Sequence, residues 1–458
     1  MGSLSKLRKL SNVDRISDLP DSLLLHILSF LPVKSAALTS SLSKRWLHLF
    51  MSLPILDFDD DDFSQKPTTF TKFVDYMLMT RTDNVILERF SLNCGAHVDA
   101  DHVDSWLWRP VKYYSVQVIK LYLAFTEPYK LPTEVYTCTT LQVLSLSWNI
   151  LIDVPEILSL PRLSILELCE VTLSSSHSFE KLLLNCPVLE QLLIQDCACR
   201  AGNRVNIFGN ALKTLRLQQG VELEFLIDAP AVVHLYVDIS EAVEIKTQML
   251  FLETATIDGY PQNELGSVHT DGVFRLLGMI SHVRRLTLTS NTIVALSRAS
   301  ACTFPTFHNL TDLKLLIDGG AGPAASWSLL PKILASSPIL ANLVFPHGLA
   351  RDFYANRKLS RFSFIPPETV PECLSFHLKN IEIGDFRGIA EEFITIQYLL
   401  KHGRVLNMMS IDCSHLWLKE MTLGVKRKPH RSLILSEMKE KLSEFPRCST
   451  SCKLDLSP

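Results

Sequence analysis

The chain has 458 residues, 47% of them apolar and 20% charged, with a formal charge of −3. That composition excludes a disordered chain, and the length implies two or three structural units. The charge leaves no basic excess for neutralising a phosphate backbone, so a direct nucleic-acid binder is not expected.

No uninterrupted apolar run of about 18 residues occurs, so no membrane-spanning helix is expected. The opening "MGSLSKLRKL" lacks the apolar core of a secretory signal, and Lys6 stands where myristoylation needs Ser or Thr. The eleven cysteines are odd in number and scattered, which reads as reduced thiols in an intracellular compartment, cytoplasmic and/or nuclear.

The first predicted helix starts at Pro20, whose missing N–H costs nothing in a first turn, with Asp21 at the positive end of the helix dipole. "SLLLHILSFL" follows and Pro32 ends it. Leu24, Ile27, Leu28 and Leu31 form one stripe at helical spacing. Leu23, Leu25 and Phe30 spread apolar surface further round the helix, more than one buried face requires. A short helix is predicted near Lys34–Ser41, and a third after Ser43, a plausible N-cap, carrying "KRWLHLF". About 40 residues in three helices sit at the limit of independent stability, so either the rest of the chain or a partner covers the excess.

"LPDSLLLHILSFLP" followed by "SLSKRW" resembles an F-box, in its plant form, the module that docks on the Skp adaptor of cullin–RING ubiquitin ligases. The resemblance implies that Leu19, Pro20, Leu24, Ile27, Leu28, Leu31 and Pro32 line the adaptor interface, with Leu42 and Trp46 closing or buttressing it. Ser35 stands where many relatives have an acidic residue and Leu38 where many have a basic one, which bears on docking strength.

"DFDDDDFSQKPTTF" carries Asp57 and Asp59 to Asp62, a run too self-repelling for a core that reads as a solvated connector. It lacks the Gly and distal Glu of a calcium loop, so no metal is expected there. The spacing apolar-x-x-apolar-x-apolar then recurs, in "LERFSL" from Leu87, "VQVIKL" from Val116, "LQVLSL" from Leu141, "LSILEL" from Leu163 and "LEQLLI" from Leu189. It continues in "LKTLRL" from Leu212, "VVHLYV" from Val232, weakly in "LETATI" from Leu252, then in "VRRLTL" from Val283, "LTDLKL" from Leu310, "LANLVF" from Leu340 and "LKNIEI" from Leu378. Most steps are about 20 to 30 residues, the period of leucine-rich repeats. The alternating end of each motif suits a strand with one buried face, and such strands gain stability by stacking into a solenoid. "SHSFEKLLLNCPVLEQLLI" and "LLPKILASSPILANLVF" place helices between strands, with Pro187 and Pro338 breaking them. "DGGAGPAAS" at Asp318–Ser326 reads as a loop without the Gly-Lys-Ser/Thr ending of a phosphate-binding loop.

"NCPVLEQLLI" and "SSPILANLVF" resemble the repeats that follow F-boxes in plant proteins, which implies parallel strands lining a concave, ligand-binding face. Its outward residues would include Ser145, Ser147, Glu167, Gln191, Gln195, Arg216, Tyr236, Thr287, Lys314 and Val344. From Pro366 the texture changes, and a helix is predicted over Glu391–Leu400. Val370-Pro371-Glu372-Cys373-Leu374, Arg404-Val405-Leu406 and Phe445-Pro446-Arg447 resemble the FBD domain of plant F-box/leucine-rich-repeat proteins. The basic cluster Lys426-Arg427-Lys428 is either a nuclear import signal or a solvated loop.

The expected fold is therefore α/β. A short three-helix F-box (12–55) is followed by an acidic connector and linker helix (56–84). An irregular leucine-rich-repeat solenoid, or horseshoe, comes next (85–365), then an α+β FBD capping region (366–458). No catalytic or cofactor motif is found, so a non-enzymatic chain is expected. The resemblance implies a substrate-recognition subunit of an SCF-type ubiquitin ligase, with a Skp-type adaptor, a cullin scaffold and an unidentified protein substrate as partners. A small-molecule receptor and a scaffold that binds Skp without ubiquitylation are the alternatives.

Overall fold

The structure is a computed structural model. It describes residues 16, 18–63, 67–81, 86–95, 97–218, 223–238, 243–259, 268–298, 304–317, 323–349, 367–414 and 431–457. The cluster Lys426-Arg427-Lys428 lies outside the described residues. Two compact units, Met1–Ile165 and Leu166–Pro458, divide the chain.

The first unit opens with three short helices, α1 (Asp21–Ser29), α2 (Val33–Thr39) and α3 (Lys44–Met51). Proline at the N-cap starts each of the first two, and Ser43 caps the third by accepting from the Trp46 N–H. The expected solvated connector departs from this structure: Ile55–Asp59 is β1, the first strand of the sheet. Its aspartates are tolerated because they alternate with Leu56 and Phe58, which are buried while Asp57 and Asp59 point outward. Then follow α4 (Pro67–Thr80), β2 (Arg89–Gly95), α5 (Ala100–Tyr113), β3 (Val118–Ala124), β4 (Tyr129–Lys130), β5 (Val143–Ser147) and β6 (Ile150–Ile152). Strands β1, β2, β3 and β5 form a parallel ladder. Arg81, 4% exposed, donates to the carbonyls of Leu53 and Ile86 and packs over the Tyr114 ring, fastening α4 to the chain that follows α3.

The second unit begins in β7 (Ile165–Cys169) and continues through β8 (Thr172–Leu173), α6 (Ser176–Leu184), β9 (Gln191–Gln195), β10 (Ala198–Cys199) and β11 (Arg204–Phe208). Next come β12 (Thr214–Gln218), β13 (Glu224–Asp228), β14 (His234–Asp238), β15 (Val243–Ile245), β16 (Thr254–Asp258) and α7 (Val268–Met279). The remainder is β17 (Arg285–Thr289), α8 (Ser290–Arg298), β18 (Asp312–Leu316), α9 (Pro323–Ala335), β19 (Asn342–Phe345), α10 (Glu372–Phe376), β20 (Asn380–Ile383), α11 (Ala390–His402), β21 (Met408–Asp412), a helix over Arg431–Ser443 and β22 (Lys453–Ser457).

From β9 the main ladder is parallel throughout, in the order β9, β12, β14, β16, β17, β18, β19, β20, β21, β22. In the stretch from Val232 to Val283, weak in sequence, the described strands β14 and β16 pair in the same parallel register as their neighbours. The segment after Pro366 adds three more strands to the same ladder, so its changed texture reflects its helices rather than a new sheet. Pro323 opens α9 at the first helical position, so Pro323–Ser326 is helix where the sequence reads as loop. Strands within the ladder bury alternate residues: Leu215 with Leu217, Leu235 with Val237, Leu286 with Leu288, Ile381 with Ile383. These rows, met by Phe179, Leu182, Leu276, Ile333 and Ile396 from the helices, make the core.

Candidate functional site

In α1 the apolar residues divide between two sides. Leu24 and Leu28, 0% and 1% exposed, face inward with Ala36, Trp46, Leu49 and Phe50. Leu24, Leu28 and Trp46 were expected at a partner interface; the structure corrects this, because three helices of this size need them as their own core. The other expected residues are on or near the surface: Ile27, Leu31, Leu42, Pro20 and Pro32 are exposed and Leu19 is half-buried. Leu23 and Ile27, at i and i+4, share one side of α1, and the exposed Phe30 and Leu31 follow at its C-terminal end. Phe30 and Leu38 are each 75% exposed. Arg45 sets the entry of this helix with a paired contact to Asp21 Oδ1 at 2.8 and 2.6 Å and a bond to the Leu19 carbonyl at 2.6 Å. The pair is solvent-exposed, so it orients more than it stabilises. Phe30 was legible as surplus apolar surface and Leu38 only as a departure from the family pattern, and periodicity alone gave no way to rank them above Leu24 and Leu28.

The second candidate surface is the outward side of the strands. In the first unit Asp57, Ser91, Lys120 and Ser145 stand in register, and Asp59, Asn93, Tyr122 and Ser147 form the row beside them. In the second unit Arg216, Tyr236, Thr256, Thr287, Lys314 and Val344 form a continuous row, with Leu193 as the partner of Arg216 on β9. Gln191 lies one row toward the strand starts, with Thr214 and His234. Gln191, Arg216 and Lys314 are exposed; Ser145, Ser147, Glu167, Gln195, Tyr236, Thr287 and Val344 are half-buried.

The Arg216 guanidinium lies 4.5 Å from the centre of the Tyr236 ring. Tyr236 donates to Asp258 Oδ2 at 3.2 Å, and Thr289 donates to Asp258 Oδ1 at 2.5 Å. Burial, then the nearby Asp258 and Asp196 carboxylates, push the Asp238 carboxyl up to about 7. Asp238 and Asp258 are paired in register at the strand ends. The middle of this face is thus cationic and hydroxyl-bearing, and its C-terminal margin acidic.

The carboxylates of Asp59, Asp60 and Asp61 approach within 4.8 Å of one another. Both oxygens of Asp59 accept protein hydrogen bonds, from the Asp61 N–H at 3.0 Å and from Asn93 at 3.2 Å, and Asp60 accepts from the Gly95 N–H at 2.8 Å. A cleft of about 360 Å³ opens beside Leu184, Pro187, Phe208, Leu212 and Asp228. Its carboxylate, Asp228, is already held by Thr247 at 2.5 Å and Lys246 at 2.9 Å. Burial pushes the thiols of Cys94, Cys186, Cys197 and Cys373 up to about 12, which keeps them protonated and unreactive at neutral pH. Among the described residues no helix is long and apolar enough to cross a membrane.

Comparison with known families matches residues 16–58 to the F-box domain, residues 103–249 to the LRR repeats of the FBD-associated F-box protein At5g56370, and residues 366–411 to FBD. Among curated Arabidopsis thaliana proteins, F-box/LRR-repeat protein At4g14103 is 33% identical over 360 residues, 72% of this chain and 91% of its own. F-box/LRR-repeat protein At4g14096 is 31% identical over 401 residues, 83% of this chain and 82% of its own. The putative FBD-associated F-box protein At3g50710 is 29% identical over 467 residues, 96% of this chain and 99% of its own.

Proposed function

The chain belongs to the F-box/LRR-repeat family, in the form that carries FBD, and from that premise we propose that it is the non-catalytic substrate-recognition subunit of an SCF-type ubiquitin ligase. One observation carries the reading. Inside the segment matched to the F-box, α1 and α2 leave Leu23, Ile27, Phe30, Leu31 and Leu38 exposed on helices whose core is already filled. Apolar area of that kind on so small a unit is what a docked partner covers. The partner is a Skp-type adaptor, and through it a cullin scaffold. On this reading the domains are F-box 12–55, a connector 56–84 whose first residues lie in β1, repeats 85–365 and FBD 366–458.

The outward strand rows then hold the target protein, with Ser145, Glu167, Gln191, Arg216, Tyr236, Thr287 and Lys314 as contact residues. The ligase reaction is accelerated by proximity: the complex raises the effective concentration of a target lysine beside the charged ubiquitin-conjugating enzyme. The assembly works in the cytoplasm, the nucleus or both.

Co-assembly tests this. The purified chain is mixed with a Skp-type adaptor and cullin and passed through a sizing column. A three-component peak is expected; a chain that elutes alone at micromolar concentrations contradicts the reading.

A further inference from the structure

Trp148 is a costly residue in a cheap position. The residue following β5, β7 or β9 turns the chain with a positive φ: Trp148 at 65°, Glu170 at 54° and Asp196 at 47°. The left-handed region is tolerated by Asp and Asn, whose short side chains bond locally, and is a true outlier for a bulky ring. Burial does not repay it, because Trp148 is 40% exposed. Its ring leans against Tyr122, itself 38% exposed, with centroids 5.3 Å apart and the planes tilted by 43°. Strain held without packing gain points to function, and exposed Trp and Tyr are the side chains that anchor protein interfaces.

The charge around this ledge is mostly acidic, with the exposed Lys120 one row away on the same face. Tyr122 stands in the row Asp59, Asn93, Tyr122, Ser147 at the C-terminal ends of the strands. Residues 60–63, 97–101 and 125–128, directly after β1, β2 and β3, include Asp60, Asp61, Asp62, Asp99, Asp101 and Glu127 and no Lys or Arg. Three of the cations nearby are engaged. Arg89 is paired with Asp57 at 2.6 Å, Lys130 with Asp153 at 2.7 Å, and Lys34 bonds the Asp62 carbonyl and faces the Phe63 ring. Lys120 lies in the next row toward the strand starts.

We propose that the Trp148–Tyr122 ledge, with the carboxylates beside it, seats a basic segment of the target protein, a Lys or Arg side chain lying over the two rings. This rests on the reading of the outward strand face as the target-binding surface and names the end of it and the chemistry. Two aromatic faces attract a cation through their quadrupoles, and the acidic edge steers it there.

The test uses the full chain and a fluorescein-labelled peptide of alternating Lys and Gly-Ser, with matched peptides carrying Glu or Ser in place of Lys. Fluorescence polarisation is expected to show binding of the Lys peptide alone, weakening as salt rises. Trp148→Asn leaves the charge unchanged and suits the left-handed turn. It is expected to weaken the Lys peptide by about fivefold or more while the melting temperature stays level or rises. Trp148→Phe, which keeps a ring, is expected to retain most of the binding. Equal binding of all three peptides, no binding of the Lys peptide, or full affinity in Trp148→Asn overturns the proposal. Loss of binding in Tyr236→Ala but not in Trp148→Asn removes the site from this edge and leaves target binding on the strand face standing.

Discussion

A methyl group on Gly384 would lie 2.0 Å from the Pro346 carbonyl oxygen. The Cβ is fixed to its backbone and the oxygen is backbone, just past the ends of β20 and β19, so neither can swing aside. Gly384→Ala is expected to cost the second unit about 1–3 kcal/mol, read as a lower denaturation midpoint. Glu392, 0% exposed, sets a different constraint. Its Oε2 accepts the N–H groups of Arg387 at 3.0 Å and Ile389 at 3.3 Å, holding the chain that enters α11. Burial outweighs those bonds and pushes the carboxyl from 4.5 up to about 7. An acid raised on folding contributes stability that is full below about 4.5 and lost as pH rises through about 7, on the order of 3 kcal/mol in total. Melting temperature is therefore expected to fall between pH 5 and pH 8, and Glu392→Gln to flatten that slope, since the amide oxygen still accepts both N–H groups. An unchanged slope would show that Glu392 titrates normally.

At the scale of elements, α1 shows why one substitution unfolds a unit and its neighbour does not. Leu24→Asp places a carboxylate among Ala36, Trp46 and Phe50 and is expected to abolish the folded three-helix unit. Ile27→Asp with Phe30→Asp changes exposed positions, and circular dichroism is expected to match the wild type. The strands were legible in the same physical terms. Each repeat motif places its strand two residues after its first apolar position: Leu212 precedes β12, Val232 precedes β14, Leu310 precedes β18. The same pattern sits in "LPILDF" from Leu53 and "LNMMSI" from Leu406, where β1 and β21 form. The aspartate run and the change of texture hid these two, although outward positions of a half-buried strand accept any charge. Side-chain division on α1 was less legible, because a helix apolar all round has no periodic signal to say which stripe turns inward. Trp148 was hidden for another reason: its importance lies in a φ value, and a sequence does not print one.

For the molecule as a whole, the account joins two surfaces with different chemistry. Among the described residues the apolar side of α1 and α2 is exposed, and the outward strand rows are mostly polar, with aromatic and charged groups set in register. On the proposed reading such a chain acts by holding two partners. The claim on which the rest depends is that the exposed helical side is a docking surface. Titration calorimetry of the full chain against a purified Skp-type adaptor tests it most directly, with wild type beside Ile27→Asp/Phe30→Asp, and Arg216→Ala as a control on the other surface. The account predicts tight binding by wild type and Arg216→Ala, and a loss of about a hundredfold or more in the folded double variant, because two carboxylates would be buried against apolar surface. Equal affinity of the double variant and wild type, or no heat with any adaptor, would contradict it.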